Sequence, residues 1–561
     1  MNSRKSKLNL NFDYNNLIKN TKINSSTVDI ANLIMDNTFY EAPQYDKIEF
    51  GNKIKWDYQH STSANSYQIY IHSLNMISYL TDAYLVSKDI KYLKKAYSIL
   101  RDWQAYNQTY CKVKKNYVWC DHSTTFRTIN ILYFYLVSYD LIKINHREIY
   151  SIIIEHLDYL NNFPMYTNDN HGIMIDRTLL LSSFILNDKT LSAIYFTKSY
   201  YRLREAFFRD FSEKGIHLEN SIDYHCMVKR LFKEINAFLI KMNMSLGDDI
   251  TSILYNDTDY LSYVEKPDLR FPLIGDTSGV QVNKIKKRFD NFIDTTAGIA
   301  IFQKENTQDP TKSLWLSFIC GYGNSNHKHN DDLSILLSNN GYDLFVDAGK
   351  YNYNRKDPLR IYCKSVAAHN TIQIGDDTKG YEILTNATFS NKPHITDFFQ
   401  GSEYNLIKGI NASYPNAYVE RTVILIKSAI LIIYDAIKCT SEQDCIQSFN
   451  LAPGMTYNKV SKNKFILTNN DYDIIYEQHQ EIDQIDFKEA DVTLPQAVIS
   501  ETFSTLTNIT QVKAHKKGIN NYFLTSINLD PTNYQINKLE VNNNAKVLTI
   551  EINEKRLEIF I

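Results

Sequence analysis

The apolar residues of this 561-residue chain change their spacing near its middle, and this change limits the folds that the chain can adopt. In the first half, apolar residues recur every three or four positions without an internal proline, which is the pattern of amphipathic helices. After about residue 295, short runs typical of β-strands are separated by turn signals. Pro267, Pro272, Gly275 and Gly279 interrupt the intervening segment, which we interpret as a linker. The sequence therefore predicts a helical part followed by a β-sheet part.

The predicted elements are short and closely spaced. Helices are expected over residues 67–86, 90–106, 124–142, 147–162, 172–186, 192–211 and 222–244, and strands over 298–302, 314–320, 419–427, 429–437, 446–451, 522–527 and 547–552. Helices joined by short turns pack as antiparallel hairpins, either in an ordinary bundle or in an α/α toroid, and periodicity does not separate these two. Strands with turns at regular intervals favour an antiparallel sandwich.

Composition excludes several classes of partner and site. The 61 Lys and Arg residues nearly balance the 63 Asp and Glu residues, so no global field favours nucleic acid or a membrane surface. The seven cysteines form no CxxC pair, which argues against a disulfide framework or a cysteine zinc site. No apolar run is long enough for a membrane helix, and the first ten residues lack the apolar core of a signal peptide. We expect a cytoplasmic protein, or a periplasmic or secreted one whose leader has been removed. The sequence does not indicate an oligomeric state.

The segment from residue 327 to 371 collects three histidines and several acids. Alternating apolar and polar residues within it predict β-hairpins, which bring distant residues together across a sheet. His329, Asp347 and His369 supply the nitrogen and oxygen donors that zinc accepts, with one coordination position left for water. The alternative interpretation is three unrelated polar residues in turns.

Four separated motifs follow one another along the chain. They are Trp119-x-Asp121-His122-Ser123 with Arg127, Asn170-His171-Gly172, Glu219-x-Ser221-x-x-Tyr224-His225, and His327-x-His329-x-x-x-Leu333-Ser334 with Asp347-x-Gly349 and Ala368-His369-Asn370-Thr371. Together they resemble the signature of the heparinase II/III-like polysaccharide lyases, and the resemblance covers most of the chain.

The resemblance implies an α+β multidomain fold. We expect an N-terminal extension over residues 1–50, an incomplete α/α toroid over 51–265, a linker over 266–295 and an antiparallel β-sandwich over 296–561, with the active cleft where the two domains meet. The implied reaction is β-elimination on an acidic polysaccharide that contains uronic acid, leaving a 4,5-unsaturated uronate.

β-Elimination removes the C5 proton of the uronate, and the neighbouring carboxylate must first be neutralised. An amide side chain can do this by donating hydrogen bonds, so Asn170 is the predicted neutraliser, with His171 assisting or serving as the base. Tyr224 is the predicted base, like the matching tyrosine of the family, if a nearby cation lowers its pKa. His327 is the second candidate for base or acid. In isolation, Asn170 would be read as part of a helix cap and Tyr224 as a packing residue.

The same resemblance assigns residues to substrate binding. They are Trp119, His122, Arg127 and Glu219 from the helical part, with Tyr353 and Arg360 from the sheet part. A guanidinium such as that of Arg127 can hold a carboxylate or sulfate through two parallel hydrogen bonds. Any of these residues could instead serve packing or solvation.

The predicted zinc is structural and holds three loops together so that His327 is rigid. If His327-x-His329 lies on a strand, both side chains face the same side, and His327 becomes an alternative ligand. We favour His329 as the ligand and His327 as the catalytic residue.

The chain departs from the family at Phe449-Asn450-Leu451, where relatives often carry Phe-His-Leu. This leaves the substrate less predictable. Two other functions remain open: a glycoside hydrolase on the same scaffold, which would need two carboxylates across the cleft, and a non-catalytic glycan-binding or polysaccharide-processing protein.

Overall fold

The computed structural model describes residues 7–39, 46–61, 64–111, 117–256, 259–279, 285–323, 325–375 and 392–561. The chain divides into two compact units. Unit 1 comprises residues 1–209 and 230–254, and unit 2 comprises residues 210–229 and 255–561.

Unit 1 is built from helices. They are α1 (Thr27–Met35), α2 (Ala64–His72), α3 (Asn75–Ser87), α4 (Lys91–Tyr110), α5 (Asp121–Ser138), α6 (His146–Asn161), α7 (Asn170–Ser183), α8 (Lys189–Asp210) and α10 (Asp248–Leu254), with most of α9 (Ile222–Lys241). A small hairpin joins β1 (Thr38–Phe39) to β2 (Ile48–Glu49). Six predicted helices therefore appear within a few residues of their expected bounds. The seventh, predicted over residues 67–86, is two helices, because Leu74 adopts a left-handed φ of 56° at the break.

The helices of unit 1 alternate between two environments. Helix α5 packs on both α3 and α7, and α5 and α7 are buried on nearly every side. Helices α4 and α6 lie between them in sequence and bury only one stripe each. A buried inner helix followed by an amphipathic outer helix is the arrangement of stacked helical hairpins in an α/α toroid.

Unit 2 consists of antiparallel sheets. Its strands are β3 (Phe292–Asp294), β4 (Ile299–Lys304), β5 (Leu314–Ile319), β6 (Ser334–Asn339), β7 (Tyr342–Phe345), β8 (Ile372–Ile374), β9 (His394–Gln400), β10 (Tyr404–Asn411), β11 (Ala417–Ile426), β12 (Ile430–Asn450), β13 (Thr456–Lys459), β14 (Lys464–Asn469), β15 (Tyr472–Gln478), β16 (Gln484–Glu489), β17 (Val498–Ile499), β18 (Thr507–Asn508), β19 (Thr510–Asn528), β20 (Ile536–Asn542), β21 (Val547–Ile552) and β22 (Lys555–Phe560). Two short helices, α11 (Leu261–Val264) and α12 (Pro358–Lys364), accompany them.

Strands β3 to β7 form one sheet in sequence order, and β8 to β16 with β19 form a ten-stranded sheet. The main core lies between these sheets, where residues such as Phe318 and Leu337 face Val423 and Ile433. A second core packs the larger sheet against β20–β22. The predicted strands 429–437 and 446–451 are one long strand, β12, with a register shift between Lys438 and Gln443. Because the two sheets pack face to face over this core, they form the sandwich that the sequence predicts.

All seven cysteines are free, as the absence of CxxC pairs indicates. No helix in the described part of the chain combines the length and the apolar character that a bilayer span requires.

Candidate active site

In unit 1, the predicted residues of two motifs meet at two helix N-termini. Asp121 is the first residue of α5, and Asn170 and His171 open α7, where Asp169 caps the helix by accepting a hydrogen bond from the His171 backbone N–H. His171 Nδ1 donates to Asp121 Oδ2 at 2.5 Å, and the rings of His122 and His171 lie 4.5 Å apart. We call Asp121, His122, Asn170 and His171 the helix-terminus group. The positive ends of two helix dipoles favour an anion beside it.

The helix-terminus group is partly open to solvent. The Asn170 side chain makes no hydrogen bond within the described residues, so its amide can still donate to a ligand. Burial alone raises the pKa of Asp121, but hydrogen bonds from His122 and His171 outweigh this and hold it well below its ordinary value. The ionised carboxylate therefore orients His171 through Nδ1. Asp121, His122 and His171 also place one possible ligating atom each within 4.8 Å of one another.

Arg127 occupies a different position from the one that the sequence predicts. It is fully buried, and it donates to His156 Nε2 at 2.7 Å and to the backbone carbonyls of His72 and Val118 at 2.6 and 2.9 Å. Its guanidinium lies over the ring of Trp119, which is buried as well. Because Arg127 is fully buried and its Nε and Nη1 already donate inside the fold, it has no surface for a substrate carboxylate. We therefore reassign Arg127 and Trp119 from substrate binding to the stability of unit 1.

In unit 2, Tyr224 and His327 are stacked. Tyr224 lies in the first turn of α9, and its ring centroid is 3.4 Å from that of His327, with an interplanar angle of 22°. His327 lies in a turn before β6 with a left-handed φ of 56°, so the expectation that His327-x-His329 forms a strand is wrong. The two imidazoles nevertheless converge, because a loop residue accepts hydrogen bonds from both.

That residue is Asp276. His327 Nδ1 and His329 Nε2 each lie 2.9 Å from one of its oxygens, and Arg360 donates to both oxygens at 2.6 and 2.9 Å. We call Tyr224, Asp276, His327, His329 and Arg360 the Asp276 group. The sequence assigned Asp276 only to the linker. The available signal was Gly275, whose φ of 54° brings the chain so close to other loops that a Cβ there would collide with the Asn220 carbonyl.

Tyr224 is a protonated phenol in this environment. Burial raises its pKa, and the charges of Asp276, Glu219 and Asp223 add to this, while a hydrogen bond with Tyr353 opposes it. Among the described residues, burial and these carboxylates therefore dominate this pKa rather than a nearby cation. A phenol with a raised pKa is suited to giving a proton rather than to resting as a base.

His329, Asp347 and His369 place one ligating atom each within 4.8 Å of one another, and all three are buried. We call them the metal-ligand group. His329 Nδ1 and His369 Nε2 have no hydrogen-bond partner within the described residues, while His369 Nδ1 lies 2.9 Å from Asp347 Oδ2. Burial lowers the pKa of His329, which keeps that imidazole neutral as a metal ligand requires. Two buried nitrogens without partners beside a carboxylate fit a metal with nitrogen and oxygen ligands.

The remaining residues that the sequence assigned to substrate binding, Glu219, Arg360 and Tyr353, differ in how exposed they are. Glu219 is buried and accepts a hydrogen bond from Asn326, and Arg360 is buried against Asp276. Both geometries favour holding loops over touching a polymer. Tyr353 is 48% exposed, and its contact with substrate stays a prediction.

Asn450, at the position where the resemblance implied a histidine, forms hydrogen bonds with the segment that carries His369 of the metal-ligand group. Its side chain donates to the Ala368 carbonyl at 2.7 Å, and its backbone N–H donates to Asn370 at 2.6 Å. Arg421 donates to the carbonyls of Leu333 and Asn370, both at 2.7 Å. Asn450 and Arg421 therefore hold the residues on either side of His369 in place.

Comparisons with known proteins agree with these motifs. The family Heparinase II/III N-terminus matches residues 2–298, and the family Heparinase II/III-like, C-terminal matches residues 295–536. The chain belongs to the heparinase II/III family. It is a polysaccharide lyase, which confirms the predicted enzyme class.

Solved structures confirm the fold of this heparinase II/III family member. Heparinase III has a TM-score of 0.76 and 17% identity, covering 99% of this chain and 93% of that chain. Heparan sulfate lyase HepC from Pedobacter heparinus has a TM-score of 0.72 and 16% identity, covering 98% and 91%. No curated protein sequence matches the chain. The toroid and sandwich predicted from the sequence are thus the fold of the family.

Proposed function

We propose that this lyase cleaves an acidic polysaccharide next to a uronic acid by β-elimination. The observation that carries the proposal is the Tyr224–His327 stack, with His327 held through Nδ1 by Asp276. A phenol and an imidazole nitrogen on one surface provide the proton donor and proton acceptor that elimination needs. The heparan sulfate lyases among its structural neighbours make sulfated glycosaminoglycans the first substrates to test.

In the proposed reaction, a base takes the proton from C5, the C4–O bond breaks, and a C4=C5 double bond forms. Because His327 donates through Nδ1 to Asp276, its Nε2 is the nitrogen left to accept the C5 proton. Tyr224, a protonated phenol, then gives its proton to the departing oxygen. The sequence favoured Tyr224 as the base and left His327 open as base or acid. The proposed assignment makes His327 the base and Tyr224 the acid.

Asn170 and His171 are proposed to neutralise the uronate carboxylate. The Asn170 amide, which has no hydrogen-bond partner within the described residues, and the two helix N-termini favour an anion there, and Asp121 fixes the orientation of the His171 ring beside it. His122 and Tyr353, which are partly exposed, are proposed to contact neighbouring sugars.

We also propose that His329, Asp347 and His369 bind one zinc ion. When bound, the ion would supply charge and fixed geometry rather than a nucleophile, since it would tie together the loops that carry its three ligands. The hydrolase alternative is less consistent with the site, because Asp121 and Asp276 are both committed to histidines and are not available as an acid–base pair.

The decisive experiment follows ultraviolet absorbance of the conjugated double bond during incubation with heparan sulfate, hyaluronan, alginate and bacterial capsular polysaccharides. Tyr224→Phe should lower kcat about 10²- to 10⁴-fold, because it removes only the hydroxyl and keeps the ring stack. Tyr342→Phe, which removes a surface hydroxyl that donates to Asp471, is the matched control and should keep full activity. An undiminished rate in Tyr224→Phe would refute its role. Silence across the panel with glycan binding intact would favour the non-catalytic alternative.

A further inference from the structure

We propose that Asp276 is a positioning residue that fixes the tautomers of His327 and His329 at the same time. This rests on the proposed roles of the two histidines, one in proton transfer and one in metal binding. Asp276 lies on the loop that follows Gly275, outside the four sequence motifs, and its side chain is almost fully buried.

The argument starts from what a carboxylate can do. An ionised carboxylate accepts hydrogen bonds and donates none, so each imidazole that contacts it must donate. His327 contacts Oδ2 through Nδ1, and His329 contacts Oδ1 through Nε2, each at 2.9 Å. The protons are thereby placed on His327 Nδ1 and His329 Nε2.

The opposite nitrogens then carry the lone pairs. For His327 this is Nε2, the atom that the proposed elimination needs as proton acceptor. For His329 it is Nδ1, a buried nitrogen without a hydrogen-bond partner in the described residues and one candidate ligating atom of the metal-ligand group. The two histidines use opposite nitrogens, and one carboxylate between them imposes both choices.

Arg360 keeps the carboxylate in its ionised, accepting state. Its two nitrogens pair with the two Asp276 oxygens, and one of them also donates to the Lys350 carbonyl at 2.8 Å, which fixes the guanidinium itself. A guanidinium stays protonated in proteins, so this two-point ion pair favours the ionised carboxylate although Asp276 is buried. Arg360 therefore holds the Asp276 carboxylate in place rather than contacting substrate.

The shared carboxylate couples the two sites. Movement of the His329 ring changes one hydrogen bond of Asp276 and hence the support of His327. Outer partners of this kind typically change activity or metal affinity about 10- to 100-fold when they are replaced. The structure thus links metal binding at His329 to the orientation of the proton acceptor.

The direct test reads the tautomers in the full-length protein. Long-range ¹H–¹⁵N spectra of ¹⁵N-histidine-labelled protein, with His327→Gln and His329→Gln used for assignment, should show the proton on Nδ1 of His327 and on Nε2 of His329. The opposite tautomer at either residue overturns the proposal. The NMR measurement requires no turnover. The tautomer proposal can therefore be refuted while β-elimination is observed, or confirmed while no substrate is found.

The matching substitution is Asp276→Asn, which keeps the shape but replaces one acceptor by a donor. It should lower kcat about 10- to 100-fold with a smaller change in KM, lower zinc content, and change the ring nitrogen signals of at least one histidine. Asp343→Asn is the control, since Asp343 pairs with Lys266 and contacts neither histidine. If Asp276→Asn is poorly folded, the wild-type spectra still decide the proposal. Native tautomers and native kcat in a folded Asp276→Asn protein would overturn it.

Discussion

The helix-terminus group of unit 1 and the Asp276 group of unit 2 solve the same problem, holding a histidine by a carboxylate, in different ways. Asp121 and His171 sit at helix N-termini, where local caps fix the backbone and the side chains remain partly exposed. Asp276 and His327 sit on loops, where only contacts with other loops fix them, and Asp276 is buried. We therefore expect substitutions in the helix-terminus group to change activity more than stability, and substitutions in the buried Asp276 group to change both.

The largest effect is expected in the metal-ligand group. His329→Ala should reduce bound zinc from about one per chain to almost none and lower the Tm, because a metal present at 100 to 1,000 times its Kd stabilises a protein by about 3–4 kcal/mol. Metal analysis and calorimetry with and without a chelator measure both effects. His394→Ala, a histidine on β9, is the control. Stoichiometric zinc in the His329→Ala protein would remove His329 from the ligand set.

A pair of substitutions within unit 1 sharpens the contrast between buried and exposed positions. Arg127→Met leaves the carbonyls of His72 and Val118 without their donor and should cost about 2–4 kcal/mol in the free energy of unfolding, with little change in kcat for the folded protein. His171→Gln should do the reverse, lowering kcat/KM about 100-fold while the Tm changes little. Denaturant unfolding and product absorbance separate the two. A stable Arg127→Met protein with a much higher KM would return Arg127 to substrate binding.

The smallest effect is expected at Glu265, whose ionisation should change the pH dependence of stability but not that of turnover. Glu265 is fully buried, and neither of its oxygens has a hydrogen-bond partner in the described residues. Burial raises its pKa from 4.5 to about 7. The folded protein therefore binds a proton that the unfolded chain has released in this range, and the stability falls as pH rises through that range.

Glu265→Gln removes this titration. Its Tm should exceed that of the wild type by a few degrees at pH 8, where folding buries an ionised Glu265. The gain should shrink at pH 5, where Glu265 is protonated in the folded protein. Glu305→Gln, at an exposed position, is the control. The pH dependence of kcat should be the same in Glu265→Gln and the wild type. An equal Tm gain at both pH values would show that Glu265 is not the titrating group.

The fold was largely predictable because its signals are local. Apolar spacing located α4, α5, α6 and α7 within a few residues, and turn signals located β5, β11 and β21. The break at Leu74 was missed because a left-handed leucine has no sequence signature. The length of β12 was missed because a strand with a register shift presents two separate patterns to a local reading.

The site was predictable only in part. The motifs named Tyr224, His327, His329, Asp347 and His369, and the structure brings these residues together in unit 2. They also assigned Arg127 and Trp119 to substrate binding. In the structure, both residues are instead buried in the helical core. Motif membership shows that a residue matters to a family, but burial decides whether it can touch a ligand.

The two-part architecture, the family and the set of histidines were already evident in the sequence, since helix periodicity and short motifs depend on neighbours along the chain. Which ring nitrogen of His327 and of His329 is left without a hydrogen bond depends on tertiary contacts, because both rings bond to Asp276, which is 51 residues from His327 in sequence. A hydrogen bond between distant loops depends on how separate segments pack. For this reason the residue that organises the proposed chemistry lies outside every motif.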